Sequence, residues 1–323
     1  MKKLTLHLGM HRCASTTMQN LLRANRQLLA ERGIGVVLRA DMEADNKLDM
    51  RAWHRRKALD MRARRAPQRL IAAVDAMPFD HVIISEESLL STMPAVRQRS
   101  FYPFAEKFFA SLQPLANHFD LRFRFVVRRQ DRYIESVYAF RLARGLAEDF
   151  ESFLASFPDG CFDWNWLTGA LDKKELATNS RFAVMDHWQG SELNQRLAEL
   201  VDIDPDGLVL NSRGNPSLPA ERLPFLLALN RAGLMPDRQE RKLKLLPAVA
   251  DMKAPKTETL AAHFSAKDQD KFKQSYDPDA CTGFSSESRE AFLAAYEHAN
   301  KLFLDHDTVY AAPGIWALNN EPH

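Results

Sequence analysis

The sequence predicts an α/β fold, a three-layer α/β/α arrangement with a central parallel sheet and additional C-terminal helices. Three observations carry that expectation. Short apolar runs of strand length recur along the first two thirds of the chain, helical patterns separate them, and the remainder is mostly helical. A chain of 323 residues is long enough to bury a sizeable core, and no compositional break requires a second independent domain.

Residues 3–8 read as the first strand, ending at Gly9. The helix that follows carries Met18, Leu21, Leu22, Leu28 and Leu29 on one face, with Gly33 as its stop. GIGVVL, 33–38, is the second strand. Residues 39–67 are polar and helical in character and end at Pro67. HVIIS, 81–85, is an apolar run of strand length. In LRFRFVV, 121–127, Leu121, Phe123, Phe125 and Val127 alternate with Arg122 and Arg124, as a strand requires. A helix from about Asp131 to Ala143 closes at Gly145, and RFAVMD, 181–186, is a further strand. Late in the chain, Phe292, Leu293, Tyr296, Leu302 and Phe303 share one helical face suited to packing back on the sheet.

Composition narrows the function classes. A formal net charge of +2 lacks the basic excess of a nucleic-acid binder. Cys13, Cys161 and Cys281 are too sparse for a disulfide framework or a metal motif, and the histidines show no ligand spacing. The first apolar stretch is broken by His7, His11 and Arg12, so it is neither a signal-peptide core nor a membrane span. These features point to a cytoplasmic protein without a transmembrane segment.

The segment LTLHLGMHRCASTTMQNLL, 4–22, joins a strand to a helix at the carboxyl edge of the sheet, where open α/β folds bind ligands. The first amides of that helix lack internal partners and carry the positive end of its dipole. Ser15, Thr16 and Thr17 add hydroxyls and Arg12 a full charge, which together make a phosphate cradle. A nucleotide-hydrolase loop would read G-x-x-x-x-G-K-[ST]. Counted from Gly9, its second Gly falls on Ala14 and its Lys on Ser15, so that template fails twice. The bland alternative is an ordinary strand–turn–helix with a Ser/Thr N-cap.

The loop GMHRCASTTMQ resembles the 5′-phosphosulfate loop of the sulfotransferase family, roughly G-x-x-[KR]-x-G-T-T-x-x-[QL]. By that resemblance Gly9, Arg12, Ser15, Thr16 and Gln19 fall on family positions. Ala14 departs from the usual Gly and Ser15 from the first Thr. A second family signature, Arg, seven residues, Ser, is matched in VVRRQDRYIESVY by Arg128 and Ser136, followed by Tyr138. In the family these residues hold the 3′-phosphate of 3′-phosphoadenosine 5′-phosphosulfate. A guanidinium and a hydroxyl suit such a dianion. FDWNWLTGAL, RFAVMDHW, LNSRGNPSLPA and GFSSESREAFLAAYEHANKLF are similar, more weakly, to the C-terminal part of bacterial sulfotransferase-like proteins.

The resemblance implies a fold like that of P-loop nucleotide hydrolases over 1–323. In it, 1–150 is the phosphosulfate-binding core and 151–323 is its mostly helical completion. It implies a nucleotide-binding transferase that yields adenosine 3′,5′-bisphosphate and needs no metal. Gly9, Arg12, Ala14, Ser15, Thr16, Thr17, Arg128 and Ser136 would contact the donor, with Arg12 also stabilising the departing phosphate. The acceptor would be a carbohydrate, a lipid or a small metabolite. For the base that takes the acceptor proton, three residues qualify. Glu86 leaves a strand's carboxyl end and should face the cleft, with Glu87 turned away; His54 and Glu43 follow in that order. The basic stretch from Arg51 to Arg65 either guides an anion or is a solvated helix face. Two rivals remain: a P-loop kinase-like enzyme and a non-catalytic binding protein on the same fold.

Overall fold

The computed structural model describes residues 1–51, 53, 61–90, 93–94, 101–186, 188, 190–211, 218–236, 264–311 and 316, with the side chains of 61–64 excluded. A six-stranded, all-parallel sheet runs through it in the order β2-β3-β1-β4-β5-β6. The strands are β1 Lys3–His7, β2 Ile34–Val37, β3 His81–Ser85, β4 Asp120–Val127, β5 Ser180–Val184 and β6 Val309–Tyr310. Helices flank them, as an α/β/α arrangement requires. From the N-terminus these are α1 Ser15–Ala24, α2 Arg26–Glu31, α3 Arg39–Ala44, α4 Met61–Asp75, α5 Ala105–Ser111, α6 Gln113–Ala116 and α7 Gln130–Leu142. They continue with α8 Phe150–Ala155, α9 Asn165–Asp172, α10 Gly190–Leu200, α11 Leu223–Arg231, α12 Ala266–Ser275, α13 Ser286–Ala294 and α14 Glu297–Leu304. No helix among the described residues is long and apolar enough to cross a membrane.

The five strands expected from the sequence are present, and β6 is additional. The order makes β1 and β4 neighbours, with Lys3 opposite Asp120 and His7 opposite Arg124. The chain builds outward from β1 to one side through β3 and β2, and from β4 to the other, so the β1–β4 boundary is the topological switch point. The loop after β1 and the turn after β4 therefore open side by side.

Strand β4 shows why the sheet is buried on both faces. Phe123 and Phe125 meet Phe109 of α5 edge-on, Phe125 stacks on Phe182 of β5 at 4.3 Å, and Phe182 meets Phe303 of α14. On the opposite face Arg124 is buried too, which is tolerable because its charge is paired. Its guanidinium donates to Asp202 at 2.9 Å and to the Asn179 carbonyl at 2.8 Å.

Three helical expectations need correction. The first helix ends at Ala24, because the Asn25 side chain donates to the Leu21 and Val209 carbonyls and accepts from the Val209 amide. Pro67 lies inside α4 rather than ending a helix, near enough to its start that the missing amide costs one bond early in the helix. The late helix is two helices, α13 and α14, and the break around Tyr296 turns Leu302 out to 53% exposure while Phe303 stays buried.

Two histidines in the sheet make stability depend on pH. His7 pairs with Ser85 at 2.7 Å and His81 with Thr5 at 2.8 Å. Burial lowers both from the usual 6.5 to about 4. The unfolded chain therefore binds more protons between those values, so stability is full above pH 6.5 and is lost as pH falls toward 4. For the fully buried His7 the loss is on the order of 3 kcal/mol. Urea melts at pH 7 and pH 4.5 should show that fall, and His7→Gln should reduce the difference between them.

Candidate functional site

The loop from Gly9 to Ala14 turns by alternating backbone hands. Arg12 and Ala14 have φ of 66° and 54°, on either side of Cys13, whose amide donates to the Met10 carbonyl at 3.1 Å. Alternation of this kind aims successive amides to one side, the arrangement of an anion nest. Ala14 is the N-cap of α1 and no side chain caps that helix. An ordinary strand–turn–helix would spend a Ser or Thr there; here Ser15, Thr16 and Thr17 sit in the first turn, with Ser15 and Thr17 buried.

A left-handed Ala costs about 1–2 kcal/mol relative to Gly. Gly at the same position loses about 0.4–1 kcal/mol through its freer unfolded chain. Ala14→Gly should therefore leave stability unchanged or raise it by up to about 1.6 kcal/mol. A denaturant midpoint lowered instead would contradict the left-handed geometry.

The two stretches that resemble phosphate motifs meet. Arg12 Nε donates to Ser136 Oγ of α7 at 3.0 Å, and Arg128 Nη1 reaches the Arg12 carbonyl at 3.4 Å. Arg128 stands just beyond the end of β4, its carbonyl fixed by Trp164 Nε1 at 3.1 Å. Its Nε is buried with no hydrogen-bond partner among the described residues; the Asp186 carboxylate is 3.9 Å away. Asp186 Oδ2 accepts from the Arg129 amide at 2.7 Å and from Trp316 Nε1 at 2.8 Å, while its Oδ1, the oxygen facing Arg128 Nε, is buried with no hydrogen-bond partner among the described residues. Burial, and then the neighbouring charge of Arg128, loosen the hold of Arg12 on its proton. Crowded, partly desolvated guanidinium groups of this kind are chemically suited to an anion.

Arg128 and Ser136 also open onto a cleft of about 810 Å³. Its walls include Phe150 and Leu154 of α8, Leu223 of α11, Phe284 just before α13 and Phe292 within it. Arg289 of α13 pins that far wall to α7, donating to Asp131 at 2.6 Å and to Glu135 at 2.8 Å. A cationic, hydroxyl-bearing end and an aromatic wall suit a phosphorylated nucleoside.

The expected bases fare differently. Glu86 is fully buried and both carboxylate oxygens are taken. Arg39 of α3 forms a fork with it, through Nε at 2.9 Å and through Nη2, and Ser88 adds its hydroxyl at 2.6 Å and its amide at 3.1 Å. Burial pushes this carboxyl up, but the bonds from Arg39 and Ser88 outweigh it and hold it below the usual range. Glu87, expected to turn away, is the accessible member at 24% exposure. Its Oε2 accepts from Gln19 of α1 at 2.6 Å, and its Cβ lies 3.6 Å from where a Cβ on Gly9 would stand. Of the two, Glu87 is thus the more accessible, and strand β3 ends at Ser85, before either residue. Glu43 is 57% exposed and paired with Arg51 at 2.9 Å. His54 and most of the basic stretch after Arg51 lie outside the described residues.

Sequence reasoning missed two other contributors. Tyr102, buried with φ of 45°, accepts from the His11 amide at 3.0 Å and so pins the loop from outside the motif. Phe140, one helical turn beyond Ser136, lies 5.4 Å from the Arg12 guanidinium carbon and 4.0 Å from that of Arg144. A helix register counted from Ser136 points to Phe140; nothing local marks Tyr102.

Among the described residues, no group of three His, Cys, Asp or Glu side chains is gathered to hold a metal ion. The chain matches no family model, no curated protein and no solved structure.

Proposed function

We propose that the chain is a sulfotransferase of P-loop type, working in the cytoplasm. It moves a sulfuryl group from 3′-phosphoadenosine 5′-phosphosulfate to an acceptor hydroxyl or amine by in-line displacement. The observation that carries this reading is the contact between Arg12 and Ser136, which joins the two phosphate motifs across 124 residues of chain at the switch point of the sheet. The uncapped start of α1 and Arg12 serve the 5′-phosphate, on whose bridging oxygen charge builds as the sulfuryl group leaves. Arg128, whose buried Nε has no hydrogen-bond partner among the described residues, and Ser136 serve the 3′-phosphate. The aromatic cleft beside them takes the nucleoside.

A kinase-like reading has less support, since the loop holds no Lys and offers Arg12 in its place. A non-catalytic binding protein would keep the anion contacts without turnover. The acceptor class proposed is a carbohydrate, lipid or small-metabolite hydroxyl. Transfer of radiolabelled sulfate from the donor to a panel of such acceptors tests the reading. Label transfer supports it, and phosphate transfer from ATP to the same panel would replace it with the kinase reading.

A further inference from the structure

We infer that Glu87, held by Gln19 beside the glycine of the loop, is the group that takes the acceptor's proton. The inference rests on the sulfotransferase reading and names a catalytic residue within it. Two carboxylates follow β3, and their surroundings assign them different work. Glu86 has no exposed surface and four hydrogen bonds on its two oxygens, so it can neither touch an acceptor nor readily accept a proton. It serves as the fixed partner of Arg39.

Glu87 has the opposite properties. It reaches the surface, it packs against Gly9 at the mouth of the loop, and it accepts a hydrogen bond from Gln19 on the helix that starts the proposed phosphate cradle. The charged and titratable groups facing it are Glu86, Arg39 at 3.9 Å and Tyr102. Burial, then repulsion from Glu86, raises its carboxyl above the usual range, against the opposing pull of Gln19 and Arg39. A carboxylate of raised basicity at a water-accessible mouth is suited to general-base work. Gln19 donates to Oε2, and Oε1, 3.9 Å from Arg39 Nη2 and beyond hydrogen-bond distance of it, is the oxygen assigned to the acceptor.

In the step itself, the acceptor oxygen forms a bond to sulfur while the bond from sulfur to the bridging oxygen of the 5′-phosphate breaks. That electron pair stays on the phosphate, giving adenosine 3′,5′-bisphosphate. The acceptor's proton passes to Glu87, which returns it to solvent through its exposed side.

The test compares wild type with E87Q and E87D, using release of labelled sulfate to water as the reaction and calorimetric binding of adenosine 3′,5′-bisphosphate as the control. E87Q should lose about 10²–10⁴-fold in turnover, together with the low-pH limb of the rate profile, while bisphosphate binding stays unchanged. E87D should recover part of the rate. Full turnover in E87Q, or loss of bisphosphate binding along with turnover, overturns the assignment. Absence of bisphosphate binding in wild type would instead bring down the sulfotransferase reading, and this inference with it. If water accepts no sulfate, carboxyl ¹³C titration of the bisphosphate complex decides. Glu87 should titrate above Glu86 and above the free Glu value of about 4.3, and the reverse order overturns the assignment.

Discussion

Arg12→Ala should lower sulfuryl transfer by about 10²–10³-fold, the effect of removing one preorganised donor from a developing oxyanion. The guanidinium is held in place before any ligand arrives, by Ser136 at 3.0 Å and by the ring of Phe140 beneath it. Its backbone adopts φ of 66°, a conformation an Arg takes only when its surroundings impose it. Charge on the bridging oxygen grows as the sulfuryl group departs, so the loss should fall more on turnover than on binding of the bisphosphate product. Arg12→Lys keeps the charge and should restore part of the rate, though not the fork geometry. Steady-state turnover and calorimetric binding on the same variants check this. Equal losses in both would make Arg12 a binding residue only.

Gly9→Ala should be the most damaging small change in the loop. An added Cβ would stand 2.7 Å from Ser15 Cβ and 3.1 Å from the His7 ring. Neither neighbour yields easily, since Ser15 Cβ moves only with the start of α1 and His7 is locked to Ser85 inside the sheet. Overpacking of this kind costs about 1–3 kcal/mol. Relief requires pushing α1 away from β1, which would open the cradle and disengage Gln19 from Glu87. A denaturant midpoint lowered by that amount, with weakened bisphosphate binding, is the expected result. Unaltered stability would mean that the loop is looser than its contacts indicate.

Much of the sheet was legible because its strands are apolar runs with hard stops. HVIIS is entirely buried as β3, and the alternation in LRFRFVV marks β4. Strand β6 has two residues, too few for any periodicity to register. The place of the loop between β1 and α1 was legible too, since Gly9 ends the apolar run and the helical pattern resumes at Ser15. Which of Glu86 and Glu87 is the more accessible was not. Strand β3 ends at Ser85, before either residue, and the burial of Glu86 depends on Arg39, a residue from another element. The bend at Asn25 likewise depends on Val209, far along the chain. Such features are set by tertiary partners, and local pattern does not contain them.

On the proposed function, Arg12, Arg128 and Ser136 form one site for a nucleotide phosphorylated at both 3′ and 5′ positions. Thermal unfolding with adenosine 3′,5′-bisphosphate, adenosine 5′-monophosphate or ATP tests it most directly, because a ligand that binds only the folded chain raises the melting temperature. The bisphosphate should stabilise clearly more than either of the others, and Arg128→Ala should remove most of that advantage. Equal stabilisation by adenosine 5′-monophosphate, or an advantage that survives Arg128→Ala, would contradict the account.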